Sequence, residues 1–241
     1  MQHGPDTRQP RRAAGALVRA WALARRHKLV ALGLLLVLVS LPFFVFGHTL
    51  DVGMAAWFGG PEGFPLEDDD GMALLRDLNR WFAIATVLAC LGAILWKIAR
   101  PATLMALRPR AIVFLLSTLI VGPGLVANTL FKDNWGRPRP RQVVEFGGEA
   151  PYTLPWVISD HCERNCSFVS GEGASGIWTV APALLSPLPE RPFVVLAAIG
   201  WGAVMGLVRI AMGGHFLSDV LIGAVMMLFV IWGFRRLLWV V

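Results

Sequence analysis

The sequence predicts an all-α fold, an integral-membrane bundle of six transmembrane helices. Three observations predict it. Of the 241 residues, 56% are hydrophobic and only 16% are charged. Ten tryptophans stand beside a single tyrosine. Six apolar runs approach the ~20 residues that cross ~30 Å of hydrocarbon. No ordinary soluble domain of this size needs such a composition.

The runs are 29–47, 81–99, 111–131, 168–188, 193–212 and 217–234. Basic residues precede the first, as they precede a secretion signal. Its apolar stretch is longer than a signal core, however, and no small-x-small site closes it, so it reads as a retained anchor. Ahead of it, residues 1–28 form a basic tail in which Arg12, Arg19 and Arg26 recur at heptad spacing opposite Leu17 and Trp21. That pattern suits a helix lying in the headgroup layer; a disordered basic tail accounts for the same charges. The loop after the first run is acidic, with Asp51, Glu62, Asp77 and the run 67–70, and is read as simply solvated.

Orientation follows from lysine and arginine. Alternate connections, with both ends of the chain, hold fourteen of them and the other side eight. The richer side is expected to be cytoplasmic, with both termini inside. The net charge of +6 is then explained by topology and by attraction to anionic lipid, and calls for no nucleic acid. Cys90 lies within a run, while Cys162 and Cys166 lie in the outer loop before the fourth. If that loop faces an oxidising compartment, these two can pair as a disulfide. A zinc site from Asp160, His161 and both cysteines is the alternative, with a spacing that matches no standard site well.

This topology sends three polar stretches to one depth. "FKDNWGRPRP" follows the third run, "SFVSGEGASG" opens the fourth, and "VRIAMGGHFLSD" joins the fifth to the sixth. Ionisable groups at the edge of an apolar segment are costly unless paired or solvated, so they are candidates for function. Snorkelling at the interface accounts for Arg137 or Arg141 alone. It does not account for His215 and Asp219, which are four apart and share one helical face, where a carboxylate can orient an imidazole as a base or nucleophile. Taken alone, such a pair is more often structural. Lys132, Arg139 and Arg209 add permanent cations, and the turn through Ser170, Gly171 and Glu172 offers backbone N–H groups at a helix start. The ligand they suit is a phosphoryl group.

With these residues in hand, the chain resembles the type 2 phosphatidic acid phosphatase superfamily of membrane lipid phosphatases. Its signature is Lys, six residues, Arg-Pro; then Pro-Ser-Gly-His; then Ser-Arg, five residues, His, three residues, Asp. Lys132 to Arg139-Pro140 fits the first part, and Arg209, His215 and Asp219 fit the third. Val169 and Val208 replace proline and serine, and Glu172 stands where the family has its second histidine. The resemblance covers roughly residues 111–234.

The resemblance implies that His215 attacks phosphorus to form a phosphohistidine and that Asp219 orients it. It further implies that Lys132, Arg139, Ser170, Gly171 and Arg209 hold the phosphoryl oxygens. It implies no metal or other cofactor, since fixed cations supply the charge stabilisation. Residues 29–241 are then one six-helix phosphatase domain whose site faces the periplasm of a bacterial inner membrane. The family's second histidine protonates the leaving group, so Glu172 has three readings. It is the general acid itself; or the leaving group needs little help, as in a diphosphate; or Glu172 is a structural helix-terminal charge, and either His161 supplies the proton or catalysis is weak. The expected substrate is an amphiphilic phosphate: lipid A or another glycolipid phosphate, a prenyl diphosphate, or a glycerophospholipid phosphate. The long outer loop 141–166 favours the glycolipid, because it can cover a bulky sugar; an unrelated lid accounts for the same loop. A lipid phosphotransferase using the same intermediate, and a non-catalytic lipid-phosphate binding or transport protein, are the alternatives. Oligomeric state is not legible.

Overall fold

The computed structural model describes residues 27–105 and 107–238, so the expected amphipathic tail lies, but for its last two residues, outside the described residues. The helices are α1 (Lys28–Ala55), α2 (Asp70–Ala99), α3 (Pro109–Leu119), α4 (Gly171–Trp178), α5 (Val180–Ala183), α6 (Arg191–Ala211) and α7 (Leu217–Leu237). A π-helical stretch, Ile120–Lys132, continues α3. Five of these rods, counting α3 with its continuation as one, are long and apolar enough to cross a membrane. The chain is a multi-pass membrane protein, and the all-α expectation holds.

Local chemistry explains the irregularities. Pro42 withholds a backbone donor within α1, and the helix kinks just beyond it, at Phe46. Asp69 caps α2 by accepting from the Met72 N–H at 2.9 Å. Pro123 lies inside the π-helical stretch, a wide turn that proline favours by deleting an α-type bond. The fourth run is where structure and expectation differ most. It folds as α4 and α5 with a break at Thr179, because Gly171, Gly173 and Gly176 weaken its helical preference and Pro182 interrupts it.

The broken segment is the hub of the bundle. α4 packs against α2, α6, α7 and the π-helical stretch. Small residues let it approach closely: a Cβ on Gly176 would lie 2.9 Å from the Met205 Cβ and 3.1 Å from the Gly202 Cα. By contrast α1 and α2 expose Leu38, Val45, Leu88 and Leu95, as lipid-facing helices do. The ends of α1 and α7 meet, with Lys28 Nζ 3.9 Å from the Trp232 ring centroid. At the opposite end the segment 133–170 folds over the bundle. An aromatic group of Phe131, Trp135, Trp156 and Phe168 pins it, with centroids 4.9–6.2 Å apart. A disulfide joins Cys162 to Cys166, which removes both thiols from the zinc alternative. Beside them His161 faces Asp160 at 3.6 Å.

Candidate active site

The turn from α6 to α7 presents His215. Gly213 takes φ +62°, a left-handed conformation that a β-carbon resists, and Gly214 lies so close to the Arg209 guanidinium that any side chain would collide with it. His215 is fully buried. Its Nδ1 lies 2.6 Å from the Ser167 carbonyl, which makes Nδ1 the protonated nitrogen and leaves Nε2 with a lone pair. Nε2 has no hydrogen-bond partner among the described residues, and the nearest carboxylate oxygen, Glu172 Oε2, is 3.8 Å away. Burial, followed by the charges of Lys132, Arg209 and Arg139, holds the imidazole pKa well below its ordinary value. The ring is therefore neutral at physiological pH, as a nucleophile requires.

Asp219 does not bond the imidazole directly; its Oδ2 is 3.9 Å from Nδ1. That oxygen instead accepts from the Ser167 hydroxyl at 2.6 Å and the Phe216 N–H at 2.8 Å. Its link to His215 therefore runs through Ser167, whose hydroxyl it holds and whose carbonyl holds the ring. The reason is positional: Asp219 sits in the first turn of α7, where its carboxylate turns back to cap that helix.

The other Asp219 oxygen pairs with Arg137. Arg137 is not an interface residue, as its neighbourhood in the sequence suggested; its side chain is 0% exposed. Its Nη2 donates to Asp51 Oδ2 at 2.8 Å and to the Tyr152 hydroxyl at 3.2 Å, Nε to the Thr153 carbonyl at 2.8 Å, and Nη1 to Ser218 Oγ at 2.8 Å. Burial opposes this charge, but Asp219 and Asp51 more than offset it and raise the guanidinium pKa. Asp51 is likewise no solvated loop residue. It is fully buried and accepts from the Ser218 N–H at 2.8 Å, from Ser218 Oγ at 2.6 Å and from the Tyr152 hydroxyl at 2.8 Å. The helix runs past the expected end of the first span, to Ala55, and carries Asp51 to the end of the bundle where His215 lies.

Around Nε2 stand the cations. Lys132, Arg139 and Arg209 are all buried. Arg139 donates to the Asn165 carbonyl from Nη2 at 2.6 Å, and Lys132 reaches the Asn165 side-chain oxygen at 3.5 Å, so one asparagine aligns both. Burial, then Arg141, lowers the Arg139 pKa, yet a guanidinium stays charged. Ser170 caps α4 by accepting from the Gly173 N–H at 3.1 Å. A Cβ on Gly171 would lie 2.6 Å from Asn128 Oδ1, so a larger residue there has to displace that side chain.

Glu172 completes the constellation. Its Oε2 lies 2.8 Å from Arg209 Nε, and its Oε1 accepts from Arg76 Nε at 3.1 Å. Arg76, on α2, is a contributor that the sequence patterns did not single out. Beside this pair opens a cavity of about 350 Å³ whose wall includes Arg76, Lys132, Gly171 and Glu172. His161 is not among its lining residues. The assembly can do one kind of chemistry well. A neutral, oriented nitrogen stands among fixed cations near a helix N-terminus, an arrangement suited to receive a tetrahedral oxyanion and offer its central atom a nucleophile.

Comparison with known proteins identifies the family. A family model described as the PAP2 superfamily matches residues 110–241. A lipid A 4′-phosphatase from Francisella tularensis subsp. novicida (strain U112) is 35% identical over 215 residues, spanning 82% of this chain and 89% of that protein. Lipid A 4′-phosphatases from Rhizobium etli and Rhizobium leguminosarum are 36% and 35% identical over 166 residues, 67% of this chain and 63% and 70% of theirs. No solved structure gives a significant match.

Proposed function

From the premise that the chain belongs to the PAP2 superfamily and is a phosphatase acting on a lipid, we propose that it hydrolyses the 4′-phosphate of lipid A, or of a closely similar glycolipid, through a phosphohistidine on His215. The observation that carries this reading is the buried, unpartnered Nε2 of His215 facing the cations Lys132, Arg139 and Arg209.

In the first step the Nε2 lone pair attacks phosphorus, the bond from phosphorus to the sugar oxygen breaks, and an N–P bond forms. The three cations and the start of α4 bind the non-bridging oxygens, whose charge is spread in the transition state. Nδ1 keeps its proton and donates it in a hydrogen bond to the Ser167 carbonyl, which stabilises the imidazolium character that phosphorylation creates. In the second step water attacks phosphorus, the N–P bond breaks, and inorganic phosphate leaves.

Protonation of the sugar oxygen falls to Glu172. Without substrate, Arg76 and Arg209 bind it as a carboxylate. An arriving phosphate competes for Arg209 and brings negative charge within contact distance, and both effects favour the protonated carboxyl. Glu172 then gives its proton to the departing oxygen and takes one back from the attacking water. The site acts at the outer face of a bacterial inner membrane, with both termini cytoplasmic, so that the sugar stays in water while the acyl chains stay in lipid.

The test is release of free phosphate from purified lipid A, with the 4′-hydroxyl identified in the product by mass spectrometry. Wild-type protein is expected to release it and His215→Ala to release none above background. Appreciable turnover by His215→Ala removes the nucleophile assignment. Label that moves only into another lipid, never into free phosphate, replaces hydrolysis by phosphotransfer.

A further inference from the structure

We propose that one face of α2, running from Arg76 through Arg80 to Ile84, is a leaving-group subsite that binds the hydroxyl- and acyl-bearing moiety released from phosphate. This rests on the phosphatase reading above and assigns a place to the part of the substrate that reading leaves unplaced.

Glu172 stands between His215 and a cavity. Its Oε2 lies near His215 Nε2 and Arg209, its Oε1 binds Arg76, and Glu172 and Arg76 both line the 350 Å³ cavity. A displacement at phosphorus is in line, so the leaving oxygen departs on the side away from Nε2. Moving from His215 past Glu172 leads into that cavity.

The α2 wall has the polarity of an amphiphile. Residues 76, 80, 83 and 84 recur at helical spacing and share a face, and all line the cavity. At 1.5 Å per residue the stripe from Arg76 to Ile84 runs about 12 Å. It begins with the guanidiniums of Arg76 and Arg80, the second paired with Asp77, which lines the cavity too; together they offer donors and an acceptor to oxygen-rich groups such as sugar hydroxyls and acyl carbonyls. It ends with Ala83 and Ile84, opposite Pro123 of the π-helical stretch. Because α2 descends from the outer cap into the bundle, the apolar end lies deeper in the membrane, where an acyl chain belongs.

α2 precedes residues 110–241, the part that matches the family model. The nucleophile and the phosphate-holding cations all lie within the matched part. The wall of the crevice is contributed from outside it, as a feature suited to discriminating leaving groups rather than to cleaving phosphate. Arg76 remains reachable, with its side chain 38% exposed, and its pairing with Glu172 uses Nε and Nη2. Nη1 is the donor it offers to the leaving moiety.

The experiment measures kcat/KM of the full-length protein for lipid A and for p-nitrophenyl phosphate, which has neither sugar nor acyl chain. Loss of a hydrogen bond from a charged donor is worth roughly 10-fold or more, so in Arg80→Met, whose side chain pairs with Asp77 and leaves Glu172 untouched, the ratio of the two values is expected to fall at least ~10-fold. Ile84→Trp fills the apolar end and is expected to lower the same ratio. Should Ile84→Trp fail to fold, Ile84→Phe takes its place. Ratios that stay within about twofold of wild type, whether both activities fall together or neither falls, overturn the subsite. A wild-type protein that cleaves prenyl or glycerol lipid phosphates but not lipid A refutes the glycolipid reading instead; the subsite is then judged by the same ratio taken with the lipid that is cleaved.

Discussion

Arg137→Met is the sharpest perturbation of the buried network behind the catalytic turn. The guanidinium donates five hydrogen bonds, to Thr153, Ser218, Asp219, Asp51 and Tyr152. Methionine fills similar space but leaves Asp51 and Asp219 as two fully buried carboxylates with no counter-charge. Removing one partner of a buried ion pair costs about 3–5 kcal/mol. At about 2–4 °C per kcal/mol for a chain of this size, the unfolding midpoint is expected to fall by roughly 6–20 °C. The assay is tryptophan fluorescence on protein in detergent, scanned at one fixed rate because unfolding of such proteins is often irreversible. Adding Asp51→Asn to Arg137→Met removes one orphaned charge, so the double variant is expected to lose about 1–3 kcal/mol less than the sum of the singles. An Arg137→Met midpoint within about 2 °C of wild type, or strictly additive losses, refutes the reasoning that these charges are mutually dependent.

Two further outcomes follow from the site. Glu172→Gln cannot donate a proton, so cleavage of a sugar phosphate is expected to drop ~10²–10⁴-fold, while p-nitrophenyl phosphate, whose oxide leaves readily, loses much less; equal losses on both remove the acid role. The pKa of His215 is lowered in the fold, so the native state binds fewer protons there than the unfolded chain. Stability therefore rises with pH between the depressed value and the unfolded ~6.5, and is level above it as far as this group is concerned. Nitrogen-15 NMR of labelled histidine is expected to show the His215 ring neutral at pH 6, and an imidazolium signal assigned to it at that pH contradicts the burial argument.

Much of the site was legible because its signals are local. Lys132, Arg139, Ser170, Gly171, Glu172, Arg209 and His215 occur in three short stretches whose polarity interrupts apolar runs, and the bundle brings all three stretches to one cap. Arg137 and Asp51 were misread for a shared reason. An arginine two residues from Arg139 and an aspartate in an acidic loop look like surface charges until each becomes the other's partner across 86 residues of sequence. Asp51, only four residues past the first apolar run, also met the rule that a charge near a span needs a partner. Arg76 gave no such cue, because its role depends on α2 lying beside α4.

By itself the sequence determined the number of apolar segments, the depth at which the polar stretches emerge and the residue types gathered there, since hydropathy and helical spacing are properties of neighbouring residues. Only the tertiary structure decided that the fourth segment is a broken hub, that the Ser167 carbonyl holds His215 at 2.6 Å with Asp219 one step behind, and that Glu172 is shared between Arg76 and Arg209. Those pairings depend on contacts of about 3 Å between segments far apart in the chain, and packing alone sets such distances.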